Sequence, residues 1–203
     1  VSEARMETSD QVTAALNDAD VLTALVESLE GSSRRARQTA SSTLALVARE
    51  NPSLLVPYAD NLIDALNRPE AQTRWECIDA LALLVPEAIE RCDAAVVDVE
   101  AALFDEGNGS VRLSAVRFLC KLGAADPARS DVVWPLLDEA IQCYHGDLEF
   151  TDMLGAIAEF ASGALSVETR AALIERLSFD ATNGKGALKK KAASIIDIAQ
   201  AAS

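Results

Sequence analysis

Two cations stand five residues apart in the stretch GSVRLSAVRFLCKLG, residues 109–123: Arg112 and Arg117. A guanidinium presents five N–H donors in a planar fork, so each can hold a carboxylate, a phosphate or a row of backbone carbonyls. Elsewhere, Trp75 and Asp79 lie four residues apart, one helical turn if the segment is helical. An exposed Trp supplies a large, stiff contact surface at an interface, and a packed Trp fills a gap between elements. Either role is open to Trp75, whereas Trp134, beside Pro135, reads as packing. Two basic clusters, RRAR at 34–37 and KGALKKK at 185–191, interrupt a chain with 32 acids and 18 Lys plus Arg. Arg34, Arg35, Arg37, Lys185, Lys189, Lys190 and Lys191 form a possible anion-binding edge for a phosphate, a sulfate or an acidic segment. The alternative is neutralisation by the chain's own acids.

No catalytic constellation is present. The chain lacks GxxxxGK[ST], GxGxxG and GxSxG, and its sole histidine, His145, has no metal-ligand neighbour at a structural spacing. Cys77, Cys92, Cys120 and Cys143 form no CxxC pair and read as reduced thiols, which points to the cytoplasm. No catalytic, cofactor-binding or metal-ligating residue is assigned, and no cofactor or enzymatic activity is expected.

The formal charge of −14 disfavours nonspecific attraction to nucleic acid, which depends on neutralising phosphates with Lys and Arg. The longest apolar run, ALALLV, is far short of the ~20 residues of a membrane-spanning helix, and VSEARMETSDQ lacks the basic-then-apolar order of a signal peptide. Half the residues are hydrophobic but only 4% are aromatic, so the core must be Ala, Leu, Val and Ile in closely packed helices.

The elements that would position these residues repeat along the chain. With Arg112 as anchor, ARQTASSTLALVA, TRWECIDALALLV, EFTDMLGAIAEFA and LKKKAASIIDIAQ align to give equivalents Arg37, Arg74, Phe150 and Lys189, at steps of 37, 38, 38 and 39 residues. Three residues after each anchor come Ala40, Cys77, Ala115, Met153 and Ala192. Seven after come Leu44, Leu81, Leu119, Ile157 and Ile196, and ten after come Val47, Leu84, Leu122, Phe160 and Ala199. Offsets of 3, 7 and 10 trace one buried helical stripe, written five times. A first helix precedes each: DVLTALVESLE, YADNLIDALN, AAVVDVEAALFD, DVVWPLLDEAIQCY and SVETRAALIERLS. The segment SFDATNGKG predicts a long fifth turn, and TSDQVTAALND predicts one extra helix capping the first pair.

This period, with small residues, Leu stripes and an Arg near the start of the second helix, resembles HEAT repeats and more loosely armadillo repeats over residues 20–202. The resemblance implies an all-α fold, a right-handed α-α superhelix of about five HEAT-like hairpins plus an N-terminal capping helix. Residues 1–19 would form the tail and cap, and 20–203 the array, with repeats near 20–55, 56–92, 93–130, 131–165 and 166–203. The chain departs from the family's Asp six residues before the Arg: those positions are Gly31, Arg68, Glu106, Tyr144 and Asn183, and only Glu106 offers an acid.

In such arrays the second helices line the concave face, which makes the rows one and five residues after the anchor the candidates for recognition. They are Gln38, Trp75, Leu113, Thr151 and Lys190, and Ser42, Asp79, Arg117, Gly155 and Ser194. Gln38, Ser42, Trp75, Asp79 and Arg117 are the partner-binding candidates, and Arg112 reads as scaffold. The function implied is a noncatalytic scaffold holding a peptide or protein surface, one with basic features given the acidic charge. Resemblance to HEAT-like DNA glycosylases, or to accessory lyases that act on cofactor-bearing partners, supplies the alternatives.

Overall fold

Four of the helix starts carry a capping side chain. The computed structural model describes residues 2–202, with side chains from residue 9 onward. Twelve α-helices and no strand occur among these residues: α1 (Ser2–Asn17), α2 (Ala19–Ser28), α3 (Arg34–Glu50), α4 (Ala59–Asp64), α5 (Ala71–Leu84), α6 (Ile89–Ala94), α7 (Val96–Leu103), α8 (Gly109–Gly123), α9 (Pro127–Cys143), α10 (Phe150–Ala161), α11 (Val167–Asn183) and α12 (Gly186–Ala201). Asp18, Ser33, Asp126 and Ser166 each accept a backbone N–H at the head of α2, α3, α9 and α11. Pro127 occupies the first position of α9, where its missing N–H costs nothing. Around α4 the helix is tighter: residues Pro52–Tyr58 and Ala65–Asn67 are 3-10 turns, with Pro52 and Pro57 withholding donors from the α-helical ladder.

The chain divides into two compact units, Val1–Ala102 and Leu103–Ser203. In the first, α3 packs against α1, α2 and α5, while α4, its flanking 3-10 turns and α6 pack on α5, and the turn Pro52–Tyr58 reaches α3 as well. In the second, α10 lies between α8 and α12, and α9 and α11 pack on each other and on α8 and α12 respectively. Each unit therefore has a layer of second helices, a layer of first helices, and an apolar core between them.

The core is the repeated stripe. Leu44, Leu81, Leu119 and Ile157 are buried, as are Val47, Leu84, Leu122, Phe160 and Ala199 ten residues after their anchors. The exception is Ile196, which is half-buried on α12. Small residues are used where helices approach most closely. A Cβ on Gly123 would meet the ring of Phe160 at 2.8 Å and the Val133 side chain closer still. Trp134 stacks on Phe160 at 6.4 Å between ring centroids, in the packing role expected of it.

Polar ties join the first helices of the second unit. Asp131 accepts from the hydroxyls of Ser166 and, at 2.8 Å, Thr169, and these bonds hold its carboxyl below the usual range. Farther along, Arg176 forks onto Asp138 through Nε and Nη2 at 2.5 and 2.7 Å.

One expectation needs correction. Residues 178–183 do not form a long fifth turn; they continue α11, and the turn is only Gly184 and Lys185. No Gly or Pro interrupts the segment before 184, and Ser178 and Asn183 bond back to the carbonyls of Ile174 and Phe179, so the helical ladder runs on.

Candidate functional site

The anchor row settles what the repeated cation does. Arg37 is buried; its guanidinium donates to both carboxylate oxygens of Glu70 and, at 2.6 Å, to the carbonyl of Gly31. Arg112 donates to the carbonyls of Asp105 at 2.9 Å and Glu106 at 3.5 Å, and to Asp147 at 3.3 Å, with Glu149 at 3.8 Å. Lys189 donates to the Thr182 carbonyl at 2.8 Å. Arg37 and Arg112 thus fasten the turn before their own helix, and Lys189 fastens the end of the preceding helix. Each arginine also takes an acid from the head of the next second helix, since Glu70 and Glu149 are the residues that open α5 and α10. The missing Asp six residues upstream is replaced by acids 33 to 37 residues downstream, and Glu106 serves through its backbone rather than its carboxylate. Bonding to Arg37 holds the Glu70 carboxyl below its ordinary range.

Arg37 therefore does not belong to an anion-binding edge: its donors are spent inside the fold. Arg34 and Arg35 are exposed at the first turn of α3. In the second unit Lys185 and Lys190 are exposed, and Lys191 donates to the Thr151 carbonyl at 2.5 Å, tying α12 to α10.

With the anchors committed, the remaining polar side chains of α3 and α5 fall into two matching rows. On α3, Arg35, Gln38, Thr39 and Ser42 sit at i, i+3, i+4 and i+7. On α5, Gln72, Trp75, Glu76 and Asp79 have the same spacing and the same offsets from their anchor. Because the buried stripe occupies offsets 3, 7 and 10, these rows lie off the core, and their members are half-buried or exposed. Ser42 joins them: its hydroxyl accepts from Gln72 Nε2 at 2.9 Å and donates to Glu76 Oε1 at 3.2 Å. Arg35, Gln38, Thr39, Ser42 and Gln72 line an open groove of about 280 Å³ between the helices. On the other side of α3, Arg35 and Thr39 also line a second groove with Gln11, Leu25 and Ser28.

Burial pushes the Glu76 carboxyl up from its ordinary range; Ser42 opposes this, Asp79 adds to it, and Arg49 and Trp75 oppose it in turn. An acid held in that condition gains from any cation brought to it. Four of the five partner-binding candidates, Gln38, Ser42, Trp75 and Asp79, thus share one face of the first unit. Arg117 is exposed on α8 in the second unit. Thr39, Gln72 and Glu76 were not singled out from sequence, although their offsets of −2 and +2 from the anchor complete the same helical face as the rows at +1 and +5.

The thiols of Cys77, Cys92 and Cys120 are buried and Cys143 is exposed, all unpaired with one another. His145 lies 3.1 Å from Asp180 and against the ring of Phe150. Among the described residues no group of His, Cys, Asp and Glu is arranged to hold a metal ion, and no helix is long and apolar enough to cross a membrane.

No protein-family model and no curated protein sequence matches the chain. Among solved structures it is similar to a designed armadillo repeat protein in complex with the peptide (KR)4, at a TM-score of 0.76 and 17% identity over 98% of this chain and 93% of that one. It is also similar to computationally designed armadillo repeat proteins for modular peptide recognition, at 0.72 and 17% over 97% and 93%. An archaeal HEAT-like repeats protein from Thermococcus onnurineus NA1 matches at 0.55 and 15% over 96% and 93%. The chain has a HEAT/armadillo-like helical repeat fold.

Proposed function

We propose that the chain is a noncatalytic protein-binding module that holds a peptide or protein segment on the paired rows of α3 and α5. The observation that carries this reading is the matched register of Arg35, Gln38, Thr39 and Ser42 with Gln72, Trp75, Glu76 and Asp79, side chains the core does not use, flanking an open groove. Amides and hydroxyls meet a partner's backbone, and Trp75 offers the kind of stiff aromatic contact that dominates binding energy. Glu76 and Asp79, with a chain charge of −14, favour a basic residue in the segment that reaches α5. A designed armadillo repeat protein of similar fold binds a Lys-Arg peptide, which supports a segment of this kind. The alternatives by resemblance, a nucleic-acid-binding or glycosylase-type protein and an accessory lyase, find less support, because the groove is lined by a single cation, Arg35.

The test is to select peptides from a displayed random library on the wild-type protein and measure their affinity for Trp75→Ala and Asp79→Lys. At least tenfold weakening is expected in both. Asp152→Lys, the same charge change at an exposed position of α10 in the second unit, is the control. Binding untouched by Trp75→Ala, or weakened equally by Asp152→Lys, would sink the reading.

A further inference from the structure

We infer that the end of the α3 groove nearest the helix start is a subsite for a carboxylate. The inference deepens the proposed function by giving the partner segment an acid at a set distance from its base. Five side chains line the groove, and none is an acid: Arg35, Gln38, Thr39, Ser42 and Gln72. Arg35 makes no ion pair among the described residues, in contrast to Arg37 two positions on, so its planar fork is available to an incoming group. Gln38 and Thr39 stand one turn farther along the same row and add an amide N–H and a hydroxyl, while the second N–H of Gln72 remains beyond its bond to Ser42. The positive end of the α3 dipole points the same way. The first turn of α3 carries Arg34, Arg35 and Arg37 and no acid of its own; Glu70 meets Arg37 and acts on Arg34, which leaves Arg35 as the cation of this turn that an incoming anion can pair.

The groove has an order of charge. Ser42 bonds both Gln72 and Glu76, so it lies level with the position midway between them on α5. At 1.5 Å per residue, Arg35 is then about 10 Å toward the helix start from Ser42, Glu76 is about 13 Å from Arg35 along the axis, and Asp79 about 18 Å. Both exceed the Debye length of about 8 Å at physiological salt, so the two acids do not cancel the attraction at Arg35. A span of about 18 Å corresponds to five or six extended residues. The segment that fits carries an acid at one end and a Lys or Arg five or six residues away. A carboxylate is preferred to a phosphate, because a single guanidinium matches one negative charge in a two-pronged contact and offers nothing further to a second charge.

Sodium acetate and inorganic phosphate, titrated at constant ionic strength against sodium chloride and followed by nuclear magnetic resonance, provide the test. The Arg35 Nε–H and the Gln38 and Gln72 side-chain amide signals are expected to shift saturably with acetate, at lower concentration than with phosphate. Arg35→Gln should lower the shifts at least tenfold, and Arg35→Lys, which keeps the charge and loses the fork, should fall between. Shifts reproduced by chloride, shifts that survive Arg35→Gln, or a saturable response only at Lys185 to Lys191 would overturn the subsite. Tighter binding of phosphate would overturn the carboxylate assignment. Trp75→Ala should leave the acetate response unchanged, so the subsite and the proposed partner face can fail separately.

Discussion

Gly123 and Gly155 offer a matched pair of substitutions that test whether the second unit is packed as described. Both are in helices, Gly123 as the last residue of α8 and Gly155 within α10. In an exposed helix interior, Gly→Ala stabilises by about 0.5–1 kcal/mol because Ala loses less backbone entropy on folding. A Cβ at Gly155 meets nothing within 4 Å, so this gain should appear nearly whole. At Gly123 the new methyl would lie 2.8 Å from the Phe160 ring, with Val133 nearer, against an ordinary carbon–carbon separation of about 3.5–4.0 Å. The ring must retreat about 1 Å, yet it is completely buried and its face is stacked on Trp134. Overpacking of this kind costs about 1–3 kcal/mol in a close-packed interior. The expected difference between Gly155→Ala and Gly123→Ala is therefore about 1.5–4 kcal/mol. For a chain of this size that is a separation in Tm on the order of 3–16 °C. Urea unfolding in a Trp75→Phe background, followed by fluorescence, leaves Trp134 as a reporter within the second unit. Gly123→Ala should lower the midpoint and blue-to-red shift transition relative to wild type, and Gly155→Ala should raise it. If Gly123→Ala proves as stable as Gly155→Ala, the close approach of α8 to α9 and α10 is wrong, and with it the packing of this unit.

Two acids should give opposite pH dependences. Glu70 is held below its ordinary range by Arg37, so its contribution is present above the unfolded carboxylate range and disappears as pH falls through its folded value; Glu70→Gln should lower stability at pH 7 and flatten the acid limb. Glu76 is raised by burial, so its contribution becomes unfavourable as pH rises through the ordinary carboxylate range; Glu76→Gln should raise stability at pH 7, and denaturant midpoints across pH 3–7 check both signs. Burial pushes Cys92 up to about 11 and raises Cys77 and Cys120, so a thiol reagent at pH 8 should modify only Cys143 in the native protein and all four residues in urea. Rapid reaction of Cys77 or Cys120 before unfolding would contradict their burial. Gly109→Ala should displace Glu149, whose carboxylate occupies the space of the added methyl at the head of α8, and weaken the Arg112 contacts to the second unit's α10; a drop in Tm with loss of its salt dependence is the readout.

The repeat was legible because burying a helix pair imposes a period that no other constraint disturbs: Leu44, Leu81, Leu119 and Ile157 must all be apolar at one offset. The small residues beside them, Ala40, Cys77 and Ala115, must let helices approach. Surface rows carry no such demand, so Thr39, Gln72 and Glu76 differ from one another as freely as solvated residues do, and nothing in one sequence separates a recognising row from an idle one. The fifth turn was misread for a related reason. SFDATN is poor in helix formers but contains no breaker, and its fate depended on the continuing ladder of α11 and on bonds such as Ser178 to Ile174.

Local periodicity by itself determined that this chain is a series of helical hairpins, since offsets of 3, 7 and 10 can be buried together only on a helix. Which acids meet Arg37 and Arg112, and that Arg35 stands clear while Arg37 is consumed, was decided only in three dimensions. These partners lie more than thirty residues apart, and a contact over that separation is set by how one helix stacks on the next, a geometry no single segment contains.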